Sequence, residues 1–225
     1  MGLHHAQGDG APPRWQRRKE ERPSEILAAA LETFVEHGYA ATKLEEVARR
    51  AGVTKGTLYI YFESKEALFK AVVRENILPI LVTAEQIGGN EAAPPARLLR
   101  ELVRNWWEGM NGSRLAGLPK LVMSEASNFP ELAQFWFDEV VVRGRQVFAQ
   151  VLRRGMERGD FRPMDVDFAV RLILSPILMS AIWSHSFMAC EKRAFAVEPY
   201  LETTMDIFLR GVAAEAPADA GARDA

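Results

Sequence analysis

The stretch Leu44–Phe62, LEEVARRAGVTKGTLYIYF, decides the reading of this chain. Leu44, Val47, Ala48 and Ala51 recur at three-to-four spacing and mark a helix of barely two turns. Gly52 stops it, because a left-handed cap is cheap only for glycine. Val53 returns to the core, Thr54 can cap a second short helix, and Leu58 is the main inward residue before Phe62 ends it. Two short helices joined by a glycine turn, the second polar on its outer face, describe a helix-turn-helix. The first helix of such a unit stays short so that the second can project into a DNA major groove about 12 Å wide. Thr54, Lys55, Thr57, Tyr59 and Tyr61 are donors suited to phosphates and base edges, and Gly56 lets the backbone approach closely.

Working outward, Pro23 occupies a favourable first helical position, and Ile26, Leu27, Ala30, Leu31, Phe34 and Val35 form one face of a helix that Gly38 ends. Thr42 and Glu45 have the spacing of a capping box for the next helix. Ser64 caps a longer fourth helix carrying Leu68, Phe69, Val72, Val73 and Ile77; Pro79 kinks it and Gly88-Gly89-Asn90 closes it. Residues 1–20 lack periodicity and read as a disordered basic arm. From Arg14 to Arg22, the basic residues Arg14, Arg17, Arg18, Lys19 and Arg22 outweigh Glu20 and Glu21, on a chain whose net charge is only −2. A basic arm on a nearly neutral body suits contact with a polyanion through one small surface, although such a tail is as often only solvated.

The run Leu44 to Phe62 with Ser64-Lys65-Glu66-Ala67-Leu68, preceded by Ile26-Leu27, Ala30, Phe34 and Gly38-Tyr39, closely resembles the DNA-binding domain of Tet repressor-type (TetR) transcriptional regulators. The resemblance spans about residues 22–75. It implies that Thr42 contacts a phosphate, that Thr54, Lys55, Gly56 and Thr57 form the groove-facing start of the recognition helix, that Tyr59 and Tyr61 meet the DNA backbone, and that Lys65 clamps a phosphate. Lys65 also lies unfavourably against the dipole of the helix it begins, which fits an anionic partner. Ile60 replaces the usual histidine; it is either a merely permitted substitution or a contact to a thymine methyl. Arg49 and Arg50 fit phosphate contact and solvation of the short helix equally.

The implied fold is all-α: an N-terminal helix-turn-helix domain over residues 21–80, joined by a long linker helix to a larger ligand-binding and dimerisation domain over 81–213, with a disordered tail at 214–225. Apolar periodicity supports helices beyond Pro94-Pro95 up to Gly112, from Leu118 to Ser127, Pro130 to about Arg158, Phe168 to Met188 and about Pro199 to Val212. Leu121 to Leu132 resembles the branch whose C-terminal domain is called AefR-like. Trp106, Trp107, Trp136 and Trp183 with several Phe and Met favour a greasy or aromatic effector. Trp106, Met110, Met123, Phe148, Met179 and Trp183 are the candidate pocket residues, with Asn105, Ser180 and His185 as polar groups that orient a ligand. An aromatic stripe at helical spacing is, position by position, core more often than pocket. The last two long helices, through Val166, Val170, Leu174, Ile177, Leu178, Ala181, Leu201, Met205, Phe208 and Leu209, are the expected homodimer surface.

Enzyme readings find no support. There is no G-x-S-x-G, no glycine-rich phosphate loop and no H-E-x-x-H, and His4, His5, His37 and His185 are scattered. No catalytic or metal residues and no cofactor are expected. Cys190 is the single cysteine, read as a buried thiol or, less simply, a redox sensor. The longest apolar run, Leu172 to Trp183, falls short of the roughly 20 residues of a membrane span, and the N-terminus shows no apolar signal region. The expectation is a cytoplasmic, dimeric repressor released from a palindromic operator by a small hydrophobic or aromatic effector. The alternative is a helical small-molecule carrier or interaction module that has lost DNA binding.

Overall fold

The computed structural model describes residues 14–110, 114–192 and 195–214, with side chains from residue 22. Three helices form the head: α1 (Arg14–Ala41), α2 (Leu44–Arg50) and α3 (Lys55–Tyr61). Helix α4 (Lys65–Gly88) leads out of the head into a body made of α5 (Pro95–Met110), α6 (Gly117–Glu125), α7 (Pro130–Trp136), α8 (Arg143–Glu157), α9 (Val166–Ser184) and α10 (Val197–Val212). Among the described residues the only extended pairing is one isolated bridge, Phe161 to Ala213.

Helix α1 begins at Arg14, so residues 14–20 of the expected arm are helical and Pro23 sits inside the helix. Residues 1–13 and 215–225, where the rest of the arm and the tail were expected, lie outside the described residues. Gly38 breaks α1 at φ 81° and ψ 167°, a conformation open to glycine, and one more turn follows it. Helix α4 runs through Pro79 as expected. Thr83 and Asn105 donate to the carbonyls of Pro79 and Ile80 at 3.0 Å each, along the stretch where the proline interrupts the backbone ladder. The long helix expected from Pro130 to Arg158 is divided by a π-helical turn, Phe137–Val142, which inserts one extra residue between α7 and α8.

The body is wedged against α4 and α1 by glycines that allow close approach. A Cβ on Gly109 would lie 2.7 Å from Ile80, and one on Gly117 would lie 2.5 Å from Val35. Helix α9 is long and apolar enough to cross a membrane by composition alone. Ala169, Val170, Ile173, Ile177 and Ala181 are nevertheless buried against the body, while Phe168, Leu172 and Met179 face outward. The helix is therefore apolar on two sides.

The dimer residues expected from the sequence divide accordingly. Val170, Ile177, Ala181, Leu201 and Met205 belong to the protomer's own core, and the outward apolar residues of α9 and α10 are Phe168, Leu172, Leu178, Met179 and Ile207.

Candidate nucleic-acid interface and effector cavity

Helices α2 and α3 are locked by Val47, Ala48 and Leu58, all buried, with Gly52 at φ 66° in the turn as anticipated. The Thr54 hydroxyl caps α3, accepting from the Thr57 amide at 3.1 Å and lying 2.9 Å from the Thr57 hydroxyl. Lys55, Gly56, Tyr59 and Ile60 are exposed on one end of the head, and Thr57 and Tyr61 are half-buried beside them. Ile60 is 79% exposed, an unusual position for an isoleucine on an otherwise polar face. Lys55 pairs with the Glu45 carboxylate, and each partner holds the other in its charged form: Lys55 is raised above the ordinary lysine range and Glu45 lowered below the carboxylate range.

A phosphate approaching Lys55 would have to compete with Glu45. Glu45→Gln is expected to tighten binding to random duplex about threefold at ~0.15 M salt, read by fluorescence anisotropy. Unchanged affinity would show that Glu45 does not restrain Lys55.

Two residues assigned to phosphate have other partners. Thr42 is 3% exposed; its hydroxyl donates to the Gly38 carbonyl at 2.7 Å and reaches that of Thr33 at 3.3 Å. Lys43, not Thr42, precedes α2, and no side chain caps it, so the expected capping box is absent. Lys65 Nζ donates to the carbonyls of Tyr39 (2.8 Å), Ala40 (3.1 Å) and Thr42 (3.2 Å), and sits 4.7 Å from the Tyr39 ring centre. All three ammonium donors are spent on the carbonyl end of α1. Burial lowers Lys65 below the ordinary lysine range, with Glu125 opposing the shift. The sequence signal, a cation at a helix N-terminus, was real, but its anionic counterpart is the C-terminal end of another helix.

Arg50 is likewise committed. It binds Glu36 at 2.7 Å and Glu46 at 3.1 Å, and it holds the Glu36 carboxyl below its usual range. Arg49 is 75% exposed, with Glu46 3.9 Å away. Of the two, Arg49 is the more exposed.

The body carries an apolar chamber of about 360 Å³ between α5, α6, the π turn, α8 and α9. Trp106 and Met110 line it, as expected. The other four candidates do not. Met123 and Met179 are 58% and 54% exposed on outer faces, and Phe148 is fully buried in the core. Trp183 donates to Glu191 at 3.0 Å and packs on Phe187, away from the chamber. Trp136, Val140, Leu174 and Ile177 take their places. Asn105 supports α4 rather than a ligand, and His185 offers its backbone carbonyl to Lys120. Cys190 is exposed, not buried.

Head and body meet where α6 ends. Glu125 Oε1 accepts the Ala40 amide of α1 at 2.9 Å, and Phe129 meets the Tyr39 ring edge-on at 4.7 Å. Tyr39 also packs on Phe34 and Phe69; its hydroxyl is pushed up to about 12, chiefly by burial, with Glu66 and Glu131 adding to the shift. Pro119, six residues before Glu125 on the same helix, lines the chamber.

Residues 26–72 match the family described as bacterial regulatory proteins, tetR family, and residues 96–190 match the Tetracyclin repressor-like C-terminal domain. The chain belongs to the tetR family. It is a DNA-binding transcriptional regulator rather than an enzyme. The C-terminal match carries the general repressor-like description, not the AefR-like one expected from Leu121 to Leu132.

The HTH-type transcriptional repressor KstR2 of Mycolicibacterium smegmatis is 29% identical over 164 residues, 72% of this chain and 78% of its own. The HTH-type transcriptional regulator RutR of Escherichia coli (strain K12) is 44% identical over 79 residues, 35% of this chain and 36% of its own. Among solved structures, the ketosteroid transcriptional regulator KstR2 of Mycobacterium tuberculosis superposes with a TM-score of 0.69 at 25% identity, covering 86% of this chain and 96% of that one. Regulators of this family bind DNA operators and small-molecule effectors and are typically dimers.

Proposed function

We propose that this regulator is a cytoplasmic repressor, released from a palindromic operator by a small apolar effector bound in the α5–α9 chamber. One observation carries the reading: α6 lines the chamber through Pro119 and holds the head through Glu125, so an occupant that displaces α6 acts directly on α1. The names of the KstR2 relatives, a repressor and a ketosteroid regulator, support repression and an apolar effector.

We place the division near residue 80, with the head reading DNA and the body sensing and dimerising; a family match on either side of it supports this division. On the head we assign groove contact to Thr54, Lys55, Gly56 and Thr57, backbone contact to Arg49, Tyr59 and Tyr61, and a thymine-methyl contact to Ile60. Dimerisation uses the outward faces of α9 and α10, where Phe168, Leu172, Met179 and Ile207 present apolar surface that a second copy would cover.

Gel-shift and footprinting with the region upstream of the protein's own gene test the proposal. The expected footprint has two half-sites one helical turn, about 34–36 Å, apart. An apolar compound that quenches tryptophan emission should release that complex and bind less tightly when operator is present, by the same factor. Absence of any shifted complex at low salt would favour a helical carrier without DNA binding.

A further inference from the structure

The chamber is not lined by apolar groups alone. Arg145 of α8 and Arg171 of α9 both line it, and both also line an adjoining cleft of about 260 Å³ that contains Gln146, Arg153 and Asp167. The two spaces share these residues, one apolar and the other bearing three arginines against one carboxylate.

Neither Arg145 nor Arg171 has a carboxylate within ion-pair distance among the described residues. Arg143, two positions before Arg145, binds Glu85 at 2.7 Å, whereas Arg145 has only the Phe137 ring, 5.8 Å away. Two guanidiniums without carboxylate partners beside an apolar wall form a ready site for an oxyanion, which each can meet with two parallel charge-assisted hydrogen bonds. Trp106 adds a third donor. Its Nε1 is buried and has no acceptor among the described residues, although the ring is part of the chamber wall. The chamber's volume corresponds to on the order of a dozen water-sized groups at roughly 30 Å³ each.

We propose that the effector is an anionic amphiphile. Its apolar body, on the order of a dozen non-hydrogen atoms, fills the chamber, and its carboxylate or phosphate head is held at the mouth by Arg145 and Arg171. The assignment rests on reading this chamber as the effector site. It also accounts for the two arginines in an otherwise apolar lining.

A matched pair of fluorescent probes tests it: N-phenyl-1-naphthylamine and its sulfonated analogue 8-anilinonaphthalene-1-sulfonate, which share an aromatic body and differ by one anionic group. The full-length protein should bind the sulfonate about tenfold more tightly than the neutral probe. Arg145→Gln with Arg171→Gln should erase that preference and leave the neutral probe's affinity unchanged. Arg171 is exposed, Arg145 is half-buried and neither holds an ion pair among the described residues, so the double variant should fold normally, as a thermal melt would verify. Equal affinities in the wild type, or a preference that survives the double variant, would overturn the anionic head while leaving the chamber reading intact. Val141→Trp, a bulky change at a half-buried lining residue of the π turn, should weaken both probes; binding of both that survives it, or no binding of either probe to the wild type, would overturn the chamber as the site.

Discussion

Replacing Lys65 by methionine is expected to destabilise the head by about 2 kcal/mol and to abolish operator binding as a consequence. Methionine keeps the length and apolar stem of lysine but removes three donors at once. The carbonyls of Tyr39, Ala40 and Thr42 then lose the cation that gathers the end of α1. That end carries Thr42, whose hydroxyl turns back on Gly38, and leads directly into α2. Losing it therefore loosens the helix-turn-helix from its support. Thermal unfolding and operator binding should fail together.

Arginine at the same position separates this account from a phosphate clamp. A clamp would tolerate Lys65→Arg, since both side chains bind phosphate. A lysine gathered by three converging carbonyls would not, because the planar guanidinium fork cannot point three donors at them from one nitrogen. Full DNA binding by Lys65→Arg with an unchanged melting temperature would return Lys65 to the phosphate role.

Gly117→Val should have an effect of similar size on stability, about 1–3 kcal/mol, and a larger one on signalling. Gly117 begins α6 at its contact with α1, where even a Cβ would meet Val35 at 2.5 Å. A valine there pushes α6 away from α1 along its whole length. Glu125 at the far end then loses the Ala40 amide, and Arg114 loses its approach to Glu32 at 3.9 Å. The head and body would each keep their own core while the joint between them opens. The expected result is a protein that still binds effector, with quenching like the wild type, but whose operator affinity no longer responds to it. Retained effector release in a folded Gly117→Val protein would place the coupling in α4 and its bend at Pro79 instead.

The head was legible in the sequence because its signals are local. Gly52, Thr54 and Ser64 act within one or two turns of themselves, and each sits as its neighbours dictate. Thr42 and Lys65 have partners that lie elsewhere in the fold, which local signals do not reveal. A threonine two residues before a helix has the same sequence signature whether it caps forward or turns back to Gly38. A lysine opening a helix asks for negative charge without saying whether a phosphate or a ring of carbonyls supplies it.

The body resisted for a different reason. Helix α9 is apolar around most of its circumference, so periodicity cannot say which side faces the core, and Met179 was given to the wrong one. Two of the residues that do line the chamber, Trp136 and Val140, stand at or beside the π turn, where counting by 3.6 residues fails.

That turn has a consequence for how such a chamber can change. Removing one residue between 137 and 142 would restore continuous α winding and rotate all of Arg143–Glu157 by about 100° relative to α7. Gly144, on which the Trp106 ring packs, and Arg145 would swing out of the chamber together, and other side chains of α8 would swing in. The recognition helix, more than seventy positions earlier in the chain, would be untouched. A single codon thus separates this chamber from one of different shape and charge over the same DNA-reading head.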